Sequence, residues 1–220
     1  MATRQLAMAL YAEGRTDERF LPIIIERTAV KILAPQEIDI LPITILRAGV
    51  KRTVKQPERI LDVARQAHGL DVLLVHTDAD SVAREDAKRQ RIDPGFDLVR
   101  RQGSGVCKHL IPVIPVQEME AWMLADLLAL QRVLHTNLSP DQLGIPTHAT
   151  QIEAVARPKE MLEQAIEIAW GGRPRRRRFT IADIHLELAR SINLERLAQM
   201  PSYRCLTQDL RDILQTIGMI

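Results

Sequence analysis

A continuous aliphatic run is the feature that most constrains the fold of this chain. Residues 72–77 begin with Val72, Leu73, Leu74 and Val75, and the polar and apolar positions do not alternate. A half-exposed strand would show that alternation, whereas a strand of a parallel sheet covered on both faces would not. The sequence therefore predicts a sheet with helices on both sides.

Strand and helix patterns alternate along the first part of the chain. Strands are predicted at residues 5–12, 38–46, 72–77 and 110–116, with helices at 16–33 and 57–67 between them. This order is typical of an α/β fold with a mostly parallel, Rossmann-like sheet flanked by helices. Later helical patterns cover residues 160–169, 181–200 and 207–217. We expect an α/β domain over residues 1–135 and a C-terminal helical extension over residues 136–220 packed on it.

Composition narrows the classes of protein further. The chain has 220 residues, 46% of them hydrophobic, which is enough for a sizeable core. A net charge of +2 and 3% aromatic residues do not by themselves indicate nucleic-acid binding. Cys107 and Cys205 are far apart and are expected to be reduced thiols. With neither a signal-peptide pattern nor a membrane-spanning apolar run, we expect a cytoplasmic protein with no membrane partner.

Carboxylates follow two of the predicted strands. Asp78 and Asp80 end the aliphatic strand, and Glu13 with Gly14 ends the first one. Residues two apart in a strand point to the same side, so Asp78 and Asp80 could hold one divalent ion. Glu13 could join them at the carboxyl edge of the sheet. Hard oxygen ligands favour Mg²⁺ or Mn²⁺, although such acids often only cap the following helix.

A second acidic pair and a histidine leave two interpretations open. Glu118 and Glu120 follow the fourth strand and could add a metal ligand or a water-positioning carboxylate. They could equally stabilise the start of the next helix through its dipole. His76 lies two residues before Asp78 and could reach the same face, or could simply be hydrogen-bonded within the strand.

Basic residues occur in clusters that could contact phosphates. The residues predicted to bind nucleic acid are Arg15, Lys51, Arg52, Arg84, Lys88, Lys108, Arg175, Arg176 and Arg177. The arginine-rich run at residues 173–178 could equally be a solvated loop. No phosphate-binding loop or dinucleotide fingerprint is present, so the chain is not expected to hydrolyse ATP itself.

Taken together, these motifs resemble those of a known family. The matching residues are Glu13 and Gly14 with Thr16, then Asp78 to Asp80, then Glu118 to Trp122 with Ala125 and Asp126. Over about residues 5–130 the chain resembles a Toprim-like family of prokaryotic proteins, related to the overcoming-lysogenization-defect nucleases. Toprim domains bind metal in topoisomerases, primases and several nucleases. In this chain Ser81 to Ala83 stand where many Toprim domains have a glycine.

The resemblance implies a Toprim fold in which Asp78 and Asp80 hold magnesium and Glu13 acts as a general base or a metal ligand. It also implies a possible ATPase partner encoded nearby, since such relatives often lie in phage-defence loci. Our leading hypothesis is an Mg²⁺- or Mn²⁺-dependent endonuclease acting on DNA or RNA, with Glu13, Asp78, Asp80 and Glu120 catalytic. Glu13, Asp78, Asp80 and Glu118 are the candidate metal ligands.

Two alternatives from other classes stay open. One is a non-catalytic Toprim-like partner that regulates an ATPase. The other is a nucleotide-sugar transferase, because those enzymes also use an Asp-x-Asp motif on manganese after a strand. The transferase hypothesis accounts for Asp78 and Asp80 but leaves Glu13 unexplained. The sequence does not decide the oligomeric state.

Overall fold

The protein is a mixed α/β structure in which parallel strands are flanked by helices. The computed structural model describes residues 4–51, 53–171 and 181–220. The strands are β1 (Arg4–Leu6), β2 (Met8–Tyr11), β3 (Ile38–Ile40), β4 (Thr44–Leu46), β5 (Val72–His76) and β6 (Leu110–Val113). The longer helices are α1 (Asp17–Leu33), α2 (Gln56–Gln66), α4 (Asp93–Arg100), α6 (Leu127–Leu134), α9 (Pro158–Trp170), α10 (Ile181–Ser191) and α12 (Pro201–Thr216). The short ones are α3 (Arg84–Ala87), α5 (Glu120–Met123), α7 (Pro140–Leu143), α8 (Ala149–Glu153) and α11 (Leu194–Leu197).

The main sheet has the parallel order β4-β2-β5-β6. Alternate residues of its strands enter two different cores, as the two-residue repeat of a strand requires. Val72 and Leu74 pack with α1 and the C-terminal helices, whereas Leu73 and Val75 pack with α2 and α4. All five residues of β5 are buried. The predicted sheet with helices on both faces is confirmed.

Two of the predicted strands are interrupted. The first divides at Ala7 into β1 and β2, and the second divides into β3 and β4, so that β1 and β3 form a separate two-stranded parallel sheet. Pro42 has no backbone N–H to donate, and the N–H of Ile43 donates to Glu26 Oε1 at 2.9 Å instead of to a strand. The proline therefore ends the pairing, and the prediction of single strands at 5–12 and 38–46 was wrong in this detail.

The segment between β5 and β6 is largely helical. Gly95 lies inside α4, which follows α3 and a π-helical turn (Lys88–Ile92). A Cβ atom on Gly95 would lie 2.6 Å from Ile60 Cδ1. The glycine is used here for close packing of α4 on α2.

The C-terminal helices share one core with the sheet. Leu188 and Leu210 belong to the same buried cluster as Leu10 and Leu74. The predicted helix at 181–200 is interrupted, because the Asn193 side chain caps a new helix, α11, by accepting from the N–H of Glu195 at 2.7 Å. The division into domains at residue 135 stays a prediction.

Within the described ranges, no helix combines the length and apolar character that crossing a membrane requires.

Candidate functional site

The strand order places a crevice between β2 and β5. From β2 the chain passes to β4 on one side, then returns to β5 on the other side and continues to β6. Ligands of open parallel sheets bind at such a switch point, outside the carboxyl ends of the strands. The two strands end nearly level, because Tyr11 of β2 is paired with Val75 of β5. The loops that follow them therefore meet.

The two loops are joined by a side-chain hydrogen bond. Thr77, which is fully buried, donates its hydroxyl to Glu13 Oε2 at 2.9 Å. Glu13 itself is exposed to solvent. The loops after the first and third predicted strands thus meet, and the hydrogen bond from Thr77 holds Glu13 at the switch point.

His76 lies behind this pair, completely buried between two carboxylates. Its Nδ1 is 3.4 Å from Asp17 Oδ2, and its Nε2 is 3.4 Å from Asp78 Oδ1. Burial opposes protonation, but Asp78, Asp17 and Glu13 together outweigh it and raise the pKa of the His76 imidazole. A protonated His76 provides positive charge beneath the acidic cleft.

Asp17 binds the loop that precedes α1. Thr16, at the amino end of the helix, makes no capping hydrogen bond with its side chain. The Asp17 carboxylate instead accepts from the N–H of Gly14 at 2.9 Å. Burial, and then the charges of Asp78 and Glu13, raise the pKa of Asp17, although His76 opposes them. Burial thus outweighs the favourable effect of His76 on the ionised form of Asp17.

Asp78 and Asp80 have different hydrogen-bond partners. β5 ends at His76, so the rule that residues two apart in a strand face the same way does not apply to them. Asp78 accepts from the N–H of Met119 at 2.9 Å. Asp80 has a left-handed backbone with φ of 52° and accepts from Arg91 at 2.7 Å. The shared metal site of the two aspartates stays a prediction.

Glu120 and Glu118 enter the cleft from the loop after β6. Glu120 is the first residue of α5 and is 8% exposed. Burial is the main reason that its pKa is raised to about 7, and the charges of Asp78 and Glu118 add to the effect, while Lys159 opposes it. Glu118 accepts from the backbone N–H of Lys159 at 3.2 Å, near the start of α9. Both acids thus lie in the same part of the cleft as Asp78. Glu120 is buried there, and Glu118 is hydrogen-bonded near the start of α9.

The carboxylates of the cleft could hold a magnesium ion only if oxygens of water or substrate complete its coordination. Within the described part of the chain, no three histidine, cysteine or acidic side chains are arranged to hold a metal ion. Mg²⁺, however, is usually bound through one or two carboxylates plus waters and substrate phosphates. Glu13 and Asp78 can supply those two, since each uses only one oxygen in the hydrogen bonds described above.

Comparison with known proteins gives a family but no activity. A family model described as "Domain of unknown function (DUF4276)" matches residues 12–211. The chain belongs to this family. Searches found no match among curated proteins and none among solved structures. The matched range of the DUF4276 domain includes the carboxylates of the cleft and most of the C-terminal helices.

The predicted nucleic-acid-binding residues of this DUF4276 domain are dispersed. Arg15 is exposed beside Glu13, and Lys51 is exposed in the loop after β4, at the same edge of the sheet. Lys108 precedes β6 and so lies at the opposite edge. Arg84 contacts Glu85 and lies 3.8 Å from Asp209, and Lys88 is hydrogen-bonded to Asp93 at 2.8 Å. Four of the predicted residues, Arg52, Arg175, Arg176 and Arg177, lie outside the described residues.

Sequence reasoning missed several residues that shape this site. Thr77 and Arg91 donate hydrogen bonds to predicted carboxylates, and Asp17 lies against His76. The periodicity of β5 was a usable signal for Asp17, because it places His76 on the same face as Val72 and Leu74, where the start of α1 packs. Nothing local in the sequence pairs Arg91 with Asp80, since the contact depends on a left-handed backbone at Asp80.

Proposed function

We propose that this protein is an Mg²⁺- or Mn²⁺-dependent hydrolase of phosphodiester bonds, acting as an endonuclease on nucleic acid in the cytoplasm. The observation that carries the proposal is the hydrogen bond at the switch point of a parallel sheet that joins Glu13 to Thr77, the residue next to Asp78. The charges of Asp78 and other carboxylates contribute, after burial, to the raised pKa values of Asp17 and Glu120, so a cation bound among these groups would favour their ionised forms.

Glu13 and Asp78 are the proposed metal ligands. Thr77 holds one oxygen of Glu13, and the N–H of Met119 holds one oxygen of Asp78, which leaves Glu13 Oε1 and Asp78 Oδ2 to face a cation. A divalent ion bound there would polarise a phosphate oxygen and lower the pKa of a coordinated water. As ligands, Asp80 and Glu118 stay predictions; one oxygen of Asp80 accepts from Arg91, and one oxygen of Glu118 accepts from the N–H of Lys159.

Glu120 is the proposed general base. A base for water attack is most effective when its pKa lies near the working pH, and the pKa of Glu120 is raised to about 7. The charge of Asp78 acts on Glu120, and Met119, the residue before Glu120, donates its N–H to Asp78, so the two carboxyl groups lie in the same part of the cleft. Glu120 would take a proton from a water that attacks phosphorus, while the bond from phosphorus to the leaving sugar oxygen breaks and that oxygen takes a proton from solvent.

His76 is proposed to position Asp78 and to balance its charge. The imidazole has no exposed surface through which to reach a substrate. Its contacts with Asp78 and Asp17 hold both carboxylates at the base of the cleft. This role would keep the ligand geometry fixed before a metal or substrate arrives.

Nucleic acid is proposed as the substrate because of the Toprim-like motifs, and an ATPase partner in phage defence follows from the same resemblance. The transferase alternative gains no support, because it leaves Glu13 unexplained and because Asp80 is paired with Arg91. Tight nucleic-acid or ATPase binding without cleavage under any divalent ion would favour the non-catalytic regulator instead.

The test is cleavage of labelled plasmid, single-stranded DNA and RNA with Mg²⁺ or Mn²⁺. We compare the wild type with Glu13→Gln and Asp78→Asn, which keep side-chain shape but remove charge. Glu163→Gln, on the exposed side of α9, is the matched control. We expect the wild type and the control to cut and both site variants to lose cleavage. Cleavage retained by both site variants would refute the proposal.

A further inference from the structure

A pocket rich in arginine adjoins the carboxylate cleft. It has a volume of about 200 Å³ and lies at the carboxyl ends of β2 and β4. Its basic lining residues are Arg15, Arg47 and Arg59, and its acidic ones are Glu13 and Glu18. Because Glu13 lines this pocket and also overhangs the switch point, the pocket and the proposed metal site are neighbours. We call it the arginine pocket.

The arginine pocket has more positive charge than its own acids neutralise. Glu18 is occupied by Arg47, whose Nε donates to Glu18 Oε1 at 3.0 Å. Across the described parts of the chain, no carboxylate lies within ion-pair distance of Arg15 or Arg59. Glu13, the remaining acid, is the residue that the proposed metal would neutralise. An anion entering the pocket would therefore meet two arginines without acidic partners.

Arg59 has an unmet hydrogen-bonding requirement. Its Nε is inaccessible to solvent and contacts no acceptor among the described residues. A buried donor without an acceptor costs free energy, roughly 1–3 kcal/mol for a typical polar group, so a shift of the Arg59 side chain toward a bound acceptor would recover this cost. Guanidinium groups match phosphate oxygens in both geometry and charge.

Helix orientation adds to the preference for an anion. α1 and α2 follow β2 and β4, so both begin at this edge of the sheet, with Arg59 in the first turns of α2. The amino ends of helices carry partial positive charge and favour phosphate groups.

We infer that the arginine pocket binds the substrate phosphate next to the scissile one, so that the nucleic-acid strand runs from the carboxylate cleft toward β4. This inference rests on the proposed nuclease function, because it names where the flanking part of that substrate lies. Arg59 and Arg15 grip the phosphate, and Arg47 is held in place by Glu18. The contacts go to phosphate and carry no sequence preference.

The experiment measures binding of thymidine 3′,5′-bisphosphate, the smallest fragment with two strand phosphates, by calorimetry with Mg²⁺ present. Arg59→Gln should weaken binding about tenfold or more, and Arg15→Gln should weaken it in the same direction. The matched control is Arg65→Gln, which removes the same charge from the same helix outside the pocket and should change affinity by less than about twofold. Equal affinity in all three variants would overturn the inference.

A second measurement does not depend on how the variants fold. In wild-type protein labelled with ¹⁵N, the Arg59 Nε–H resonance should shift as the bisphosphate is added, and an unmoved resonance would overturn the inference. The outcomes also separate the two proposals. Bisphosphate binding through Arg59 in a protein that cuts nothing would leave the pocket established and the nuclease refuted. Cleavage by a protein whose bisphosphate affinity is unchanged in Arg59→Gln would leave the nuclease established and the pocket refuted.

Discussion

Replacing Glu120 with glutamine should make the protein less sensitive to alkaline pH. Glu120 is 8% exposed and lies beside Asp78 and Glu118. Its pKa is raised from 4.5 to about 7, chiefly by burial. Between those two values the folded state keeps a proton that the unfolded state releases, so the free energy of unfolding falls as pH rises. A glutamine side chain cannot ionise, so the Glu120→Gln variant avoids this loss.

The size of the effect follows from the shift in the pKa of Glu120. A change from 4.5 to about 7 corresponds to roughly 3 kcal/mol, at about 1.4 kcal/mol for each pH unit. Local relaxation and water entry reduce that figure, so we expect about 1–3 kcal/mol. Asp17 and His76 also have raised pKa values, and they lower stability in the same direction as pH rises. Both remain in the variant, so their contribution largely cancels in the comparison.

The assay is urea unfolding of wild type and Glu120→Gln without divalent metal, at about pH 5 and about pH 8. The variant should gain about 1–3 kcal/mol relative to the wild type between the two conditions. Glu163→Gln, which changes an exposed acid, should show no such gain. A difference between wild type and Glu120→Gln that stays constant with pH would refute the reasoning about this carboxyl group.

Two further substitutions test the packing that positions the site. Gly95→Ala should destabilise the protein by about 1–3 kcal/mol in thermal unfolding, because the added Cβ would lie 2.6 Å from Ile60 Cδ1. Gly103→Ala should have little effect, because there is open space around Gly103. Asp126→Ala should cost about 2 kcal/mol or more in urea unfolding, because the buried carboxylate caps α6 and also accepts from the N–H of Asn193 at 2.9 Å. A loss in Gly103→Ala equal to that in Gly95→Ala, or an unchanged midpoint for Asp126→Ala, would contradict these assignments.

The sequence predicts the parts of the fold that depend on local pattern. The aliphatic run before His76 indicates a strand buried on both faces, and Glu13 and Asp78 follow two strands that are neighbours in the sheet. These inferences need only the two-residue repeat of a strand and the rule that parallel strands end at one edge.

The parts that sequence does not predict depend on contacts between distant segments. The hydrogen bonding of Asp80 is one example. Its backbone is left-handed, and Arg91, from the following helical segment, donates a hydrogen bond to its carboxylate. Glu118 is held by the N–H of Lys159, which is 41 residues away along the chain. Arg59 contributes to the arginine pocket only because α2 begins at the same edge of the sheet as α1. None of these pairings leaves a periodic signal in the sequence.

Binding of Mn²⁺, followed by electron paramagnetic resonance, tests the central claim most directly, since it needs neither a substrate nor turnover. The account predicts that wild type and Glu163→Gln bind Mn²⁺ and that Glu13→Gln and Asp78→Asn each bind it at least about tenfold more weakly. Mn²⁺ affinity that is the same in all four proteins, or no binding to the wild type, would contradict a metal site at the switch point of this sheet.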